Sequence, residues 1–275
     1  MKIFVVMPAY NEATKIGQVI KELKKNKYTN IVVVDDGSKD KTPEISKKEG
    51  AIVIRHIINQ GTGASTITGF DYAIKNDADI IVTIDSDGQH DVRDIKKVIQ
   101  PILDKKADLV IGSRLINPEG MPFIRKYGNS CLNFLTFLLV GVWTTDSQSG
   151  FKAMTKEAYI KMHLKSKGFE ICSEIIREIG RNKIKFKEVP IHVIYTDYSM
   201  TKAHGQSITN GIKTFINLLK RKFFDWLLIT GWLLITYYSA TKTTPNIIPV
   251  IPSHLYKFIF SFKKMEYSVS IFQKL

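Results

Sequence analysis

The chain has 275 residues, 44% of them hydrophobic, which suffices for one large α/β domain with a C-terminal extension and excludes a mostly disordered protein. A formal net charge of +14 calls for an anionic partner, and nucleic acid, an acidic membrane surface and phosphorylated substrates all qualify. Cys131 and Cys172 stand outside any CxxC spacing, so neither a zinc site nor a disulfide scaffold is suggested, and a reducing cytoplasm fits. The opening MKIFVVMPAYNE has too short an apolar run for a signal peptide and reads as a core strand.

Residues 3–7 form that strand, closed by Pro8, and Ile16, Val19, Ile20 and Leu23 follow with helical spacing behind Asn11 as a cap. The unit then repeats. IVVVD at 31–35 precedes a helix opened by Thr42 and Pro43, AIVIR at 51–55 precedes a Gly-containing turn and the stretch 64–75, and IIVTID at 80–85 leads to a helix carrying Ile95, Val98, Ile99 and Ile102. DLVIG at 108–112 follows. Strands apolar throughout, alternating with helices, predict a mostly parallel sheet covered on both faces, with ligands at the strands' carboxyl ends. After Arg114 come a loop, an apolar stretch from Cys131 to Trp143, the segment GFKAM at 150–154, an acidic helix and the strand-like KEVPIHVIY at 187–195. Residues 223–238 are apolar and aromatic behind Lys220, Arg221 and Lys222, but Asp225 interrupts a run shorter than the roughly 20 residues a spanning helix needs. The expectation is a domain over 1–220 and a membrane-associating extension over 221–275, with a membrane-surface helix at 223–238 and one tilted span as the alternative.

Within IVTIDSDGQH, Asp85 and Asp87 flank Ser86 where an apolar strand ends. Two carboxylates there either form a solvated acidic turn or hold a divalent cation that bridges a diphosphate and stabilises its departure. Gln89 can add an oxygen ligand, whereas His90 suits a supporting role beside so hard a metal. A second pair, Asp35 and Asp36, ends the strand before Gly37; either it forms a tight turn or it accepts hydrogen bonds from a nucleotide base, beside Pro8, Ala9, Tyr10, Asn11 and Glu12.

In order, VMPAYNE, VVVDDGSKDKT, NQGTGASTITGFDYA, IDSDGQH and IGSR resemble the family 2 glycosyltransferases, and through TDSQSGFKAM and KEVPIHVIY the resemblance covers about residues 1–220, closest to the dolichyl-phosphate mannosyltransferases. It implies a GT-A-type fold, a nucleotide-sugar donor, Mg²⁺ or Mn²⁺, and inversion at the anomeric carbon. Carried over by position, it sets Pro8, Ala9, Tyr10, Glu12 and Asp36 around the nucleoside with Ser86, Asp85 near the ribose or metal, Asp87 as direct metal ligand and Gln89 in the metal shell. It places Arg114, Arg125 and Lys202 as cations that clamp phosphates. The sequence departs from the family's pattern at Thr62, where Lys is common, and at Val92, where Pro is.

The implied reaction moves mannose from GDP-mannose to dolichyl or other polyprenyl phosphate at the cytoplasmic face of a membrane, feeding glycan assembly such as protein glycosylation. UDP-glucose and UDP-N-acetylglucosamine remain open as donors. A phosphate acceptor, with its second pKa at about 6, is already ionised and needs no base, and the stretch 131–143 can receive isoprene units or serve as core. A saccharide hydroxyl acceptor would need a base, for which Asp146 is the candidate. An NAD-dependent dehydrogenase is disfavoured because Thr66 replaces the third Gly of the fingerprint that Gly61 and Gly63 begin. A non-catalytic nucleotide-sugar-binding module is the remaining rival, while dispersed lysines argue against nucleic acid.

Overall fold

The computed structural model describes residues 1–118, 121 and 123–194, with the side chains of 123–125 excepted. The predicted extension over 221–275, Lys202 and the side chain of Arg125 lie outside the described residues. In chain order the elements are β1 (Ile3–Ala9), α1 (Ile16–Lys25), β2 (Asn30–Asp35), α2 (Thr42–Lys48), β3 (Ile52–Arg55), α3 (Thr62–Lys75), β4 (Ile80–Thr83), α4 (Ile95–Leu103), β5 (Leu109–Ser113), α5 (Phe123–Val140), β6 (Lys152–Thr155), α6 (Lys156–Lys161), α7 (Ile171–Arg181) and β7 (Phe186–Pro190).

The strands form a sheet in the order β3-β2-β1-β4-β6-β5-β7. β1 pairs in parallel with β2 and β4, β2 with β3, and β5 with β7; β6 runs antiparallel between β4 and β5. Period-two alternation sends the side chains of each strand to opposite faces. Val5, Met7, Ile31, Val33 and Val82 face Ile16, Val19, Ile20 and Leu23 of α1 and Ile95, Val98, Ile99 and Ile102 of α4. Phe4, Val6, Val32, Val34 and Ile81 face Phe70 and Ala73 of α3 and Ile171, Ile175, Ile176 and Ile179 of α7. Burial on both faces explains why these strands read as unbroken apolar runs, each buried Val, Ile or Leu contributing about 1.5–3 kcal/mol. α3 lies so close to β1 that a Cβ on Gly69 would sit 2.3 Å from Val6 Cγ1.

Two details differ from the sequence reading. Asn11 does not cap α1: it takes a left-handed φ of 55°, and the helix starts at Ile16 behind Lys15, with the Glu12 carbonyl accepting from the Lys15 and Ile16 N–H groups. GFKAM, too short to declare a strand, supplies β6, and the apolar stretch from 131 belongs to the longer helix α5. Among the described residues no helix is long and apolar enough to cross a membrane.

Candidate active site

β1, β2, β4 and β5 end at one edge of the sheet, and β6, running the other way, begins there, with Lys152 opposite Thr83. The loops at this edge are laced together. The Asn11 N–H donates to Ser38 Oγ at 2.9 Å and the Lys39 N–H to Asn11 Oδ1 at 2.9 Å. The Glu12 N–H donates to Thr42 Oγ1 at 2.8 Å, and the Asp36 N–H to the Ala9 carbonyl at 2.8 Å. Ser86 Oγ donates to the Pro8 carbonyl at 2.9 Å, joining the end of β4 to β1. Pro8, Ala9, Tyr10, Glu12, Asp36 and Ser86 are therefore brought together at this edge. Their presentation differs: Tyr10 is exposed, whereas Ala9, Glu12, Asp36 and Ser86 are buried.

Asp36, for which the sequence offers a base contact or a tight turn, has its carboxylate engaged within the protein. Oδ1 lies 2.8 Å from His56 Nδ1 and accepts from the Gln60 N–H at 2.9 Å, and Oδ2 accepts from the Gly61 N–H at 2.8 Å. Burial opposes its charge, but these hydrogen bonds outweigh burial and hold the carboxyl below the usual carboxylate range. Its observed task is to fasten the loop that leads into α3. Asp35 is equally buried, accepting from the Ser38 N–H at 3.2 Å with Arg55 Nε 3.1 Å from Oδ2.

Asp85 and Asp87 stand beyond the end of β4, where Gly88 turns the chain with a φ of 74°. His90, buried against the Phe151 ring at 5.3 Å, lies with Nε2 2.9 Å from Asp85 Oδ2. Asp85 keeps 43% of its side-chain surface open to the cleft. Burial pushes its pKa up, but the hydrogen bond to His90 and the charges of His90, Arg114 and Lys152 bring it below the ordinary value. Asp87 goes the other way: burial and then the charge of Asp85 raise it, against the pull of His90 and two hydrogen bonds from Gln89. Gln89, expected in a metal shell, donates its backbone N–H at 2.9 Å and its side-chain N–H to Asp87, so it aims that carboxylate and has only Oε1 left as a ligand atom. Among the described residues no three His, Cys, Asp or Glu side chains converge on a metal position. Two crowded carboxylates, with Asp87 pushed up by burial and then by the charge of Asp85, are nevertheless an oxygen donor set that would fit a divalent cation.

Arg114 follows β5. Its backbone N–H and Nε donate to Asp146 Oδ2 at 3.0 and 2.7 Å, and Nη2 donates to Oδ1 at 2.7 Å. Asp146 is fully buried, and its own loop is held by Glu188, which accepts from the Thr145 N–H at 2.8 Å and from Thr145 Oγ1 at 2.9 Å. Burial disfavours the charge of Asp146, but Arg114, by charge and hydrogen bonding, and then Lys152 lower its pKa. Asp146 thus serves as the anchor of Arg114; a carboxylate so committed and so acidic is a poor general base.

Two residues went unnoticed in the sequence. Lys152 is 1% exposed and donates to the Ser149 carbonyl beside Asp85; its signal was a charge inside the otherwise apolar GFKAM. Gln148 donates through Nε2 to Ser147 Oγ at 3.2 Å and Ser173 Oγ at 3.1 Å. Both line a cavity that opens on Asp85 between α3, β6 and α7. Gly61 and Gly63 are explained by packing, since a Cβ on either would come within 2.4 Å of a backbone carbonyl of the 166–167 loop. That role removes the half-fingerprint that suggested a dinucleotide site.

The model of Glycosyl transferase family 2 matches residues 4–162. UDP-N-acetylglucosamine–dolichyl-phosphate N-acetylglucosaminyltransferase of Methanococcus voltae is 43% identical, over 80% of this chain and 96% of that one. Dolichol-phosphate mannosyltransferase of Pyrococcus furiosus is 31% identical, over 80% of this chain and 64% of that one. Glucosyl-3-phosphoglycerate synthase of Mycobacterium tuberculosis, solved with Mn²⁺ and UDP-glucose, has a TM-score of 0.54 at 20% identity over 78% of each chain, a likeness of fold.

Proposed function

This chain belongs to Glycosyl transferase family 2, and on that premise we propose that the enzyme transfers a sugar from a nucleotide diphosphate to the phosphate of a polyprenol such as dolichol. The observation that carries the reading is the pairing of Asp85 and Asp87 at the sheet edge with an Arg114 whose counterion, Asp146, is withdrawn from base chemistry. Such a site suits an acceptor that is already ionised, because a phosphomonoester has its second pKa at about 6. A divalent cation held by Asp85 and Asp87, with Gln89 Oε1 within reach of the pair, would neutralise the departing diphosphate. His90 fixes Asp85, Gln89 fixes Asp87, and Arg114 offers the charge that lets two anionic substrates approach. Arg125 and Lys202 are proposed to add to that charge.

Mannose is the first expectation from the sequence; the 43% relative, named for UDP-N-acetylglucosamine, supports that donor ahead of a mannosyl donor, for which the 31% relative, named a mannosyltransferase, speaks. The acceptor's chain is proposed to lie along α5, where Phe134, Leu138 and Trp143 beyond the helix are exposed apolar side chains, with the protein attached peripherally to a membrane. The test is transfer of labelled sugar to dolichyl phosphate from UDP-N-acetylglucosamine, GDP-mannose and UDP-glucose with Mn²⁺. Label should enter the lipid phase from the first. Label entering only free saccharides would contradict the acceptor, and label from GDP-mannose alone would contradict the donor.

A further inference from the structure

The cavity between α3, β6 and α7 adjoins the nucleotide and metal site, with which it shares Pro8 and Asp85, and extends beyond them to Gln148, Lys152 and the α7 side chains Ile171, Cys172 and Ile175. We propose that it receives the acetamido group of the donor sugar and is what makes the enzyme select an N-acetylhexosamine; this rests on the donor reading above and locates its cause. Size supports the assignment. The cavity volume is about 80 Å³, several times the roughly 10–15 Å³ that a single water needs. A sugar hydroxyl would fill one place and leave the rest to water, whereas an acetamido group brings a nitrogen, a carbonyl and a methyl.

The lining matches those three parts. Ile171, Cys172 and Ile175 of α7 give an apolar wall for the methyl. The Gln148 amide nitrogen is spent on Ser147 and Ser173, which leaves its carbonyl oxygen as acceptor for the acetamido N–H. Lys152 is buried and donates to the Ser149 carbonyl, so the remaining N–H groups of its ammonium call for an acceptor, which the acyl oxygen supplies. A buried ammonium, a fixed carboxamide and an aliphatic wall in one small space beside the diphosphate site describe a receptor for a secondary amide better than one for a hydroxyl.

Calorimetric titration of the full chain with UDP-N-acetylglucosamine, UDP-glucose and UDP, in Mn²⁺, reads this without any acceptor. The wild type should bind the acetamido donor at least about tenfold more tightly than the hexose donor, the range expected when a pocket is filled or left empty. Cys172→Phe, which fills the cavity, should collapse that ratio, and Cys172→Ala, which enlarges it, should bind the N-propanoyl analogue at least about tenfold better than the wild type does. Equal wild-type affinity for the two sugars, or a parallel loss of all three ligands in Cys172→Phe with no gain in Cys172→Ala, overturns the proposal. An intact donor ratio with no transfer to polyprenyl phosphate supports the cavity's role and refutes only the acceptor.

Discussion

Replacing Asp146 by Asn separates an anchor from a base, because each role predicts a different pattern of loss. Asp146 is fully buried and accepts three hydrogen bonds from Arg114, whose side chain is 22% exposed. Asn keeps the shape but has one acceptor oxygen, and its amide nitrogen would confront a guanidinium donor. Breaking a buried pair by removing one charge costs about 3 kcal/mol at the low end of measured values, and the partial exposure of Arg114 favours that end. For a domain of this size the fall in Tm is about 6–12 °C. Activity should fall with Arg114 misplaced, and Arg114→Ala should lose no more in the presence of Asp146→Asn than alone, since the two act as a unit. Thermal unfolding and initial transfer rates of the two single variants and the double variant measure this. A stable Asp146→Asn protein that has lost transfer, together with the acidic limb of its pH–rate profile, would refute the anchor and restore the base.

Asp36 and Asp146 both have lowered pKa values in the fold, so they stabilise it fully above the unfolded value of about 3.9 and lose that contribution as pH falls through the folded values. Acid titration of wild type and Asp36→Asn followed by circular dichroism should show a flatter decline below about pH 4 in the variant. Gly69→Ala places a Cβ 2.3 Å from Val6 Cγ1 between α3 and β1, and urea unfolding should report a loss of about 1–3 kcal/mol. Gly150→Ala would bring a Cβ within 2.4 Å of Asp85 Oδ1; displacing that carboxylate by even an ångström should cut the transfer rate by about 100-fold, read from initial rates.

Strands with both faces buried carry an unmistakable pattern, and Val32, Val33 and Val34 or Ile80, Ile81 and Val82 declare themselves without alignment to anything. The helices show equally well where their apolar residues recur with period 3.6, as Ile16, Val19, Ile20 and Leu23 do. β6 escaped because four residues with a lysine at the front, KAMT, have neither length nor clean alternation, and its antiparallel direction depends on a partner chosen in three dimensions. The site divides in the same way. Asp85 and Asp87 can be read as paired carboxylates at a strand end, whereas Arg114 is singled out only by the likeness of IGSR to the family. The engagement of Asp36 by Gln60, Gly61 and His56, and of Asp146 by Arg114, depends on how loops far apart in sequence fold onto one edge, which no local spacing records. Lys152 was visible as a letter, but its burial beside Asp85 was not.

The most direct test of the account is phosphorus NMR of the products formed from UDP-N-acetylglucosamine and polyprenyl phosphate. Attack of the lipid phosphate on the anomeric carbon breaks the sugar–oxygen bond, so UDP and a phosphodiester-linked lipid should appear in equal amounts, and neither should form with Asp87→Ala. UMP with a lipid diphosphate would mean that the sugar phosphate had moved instead, and would contradict glycosyl transfer at this site.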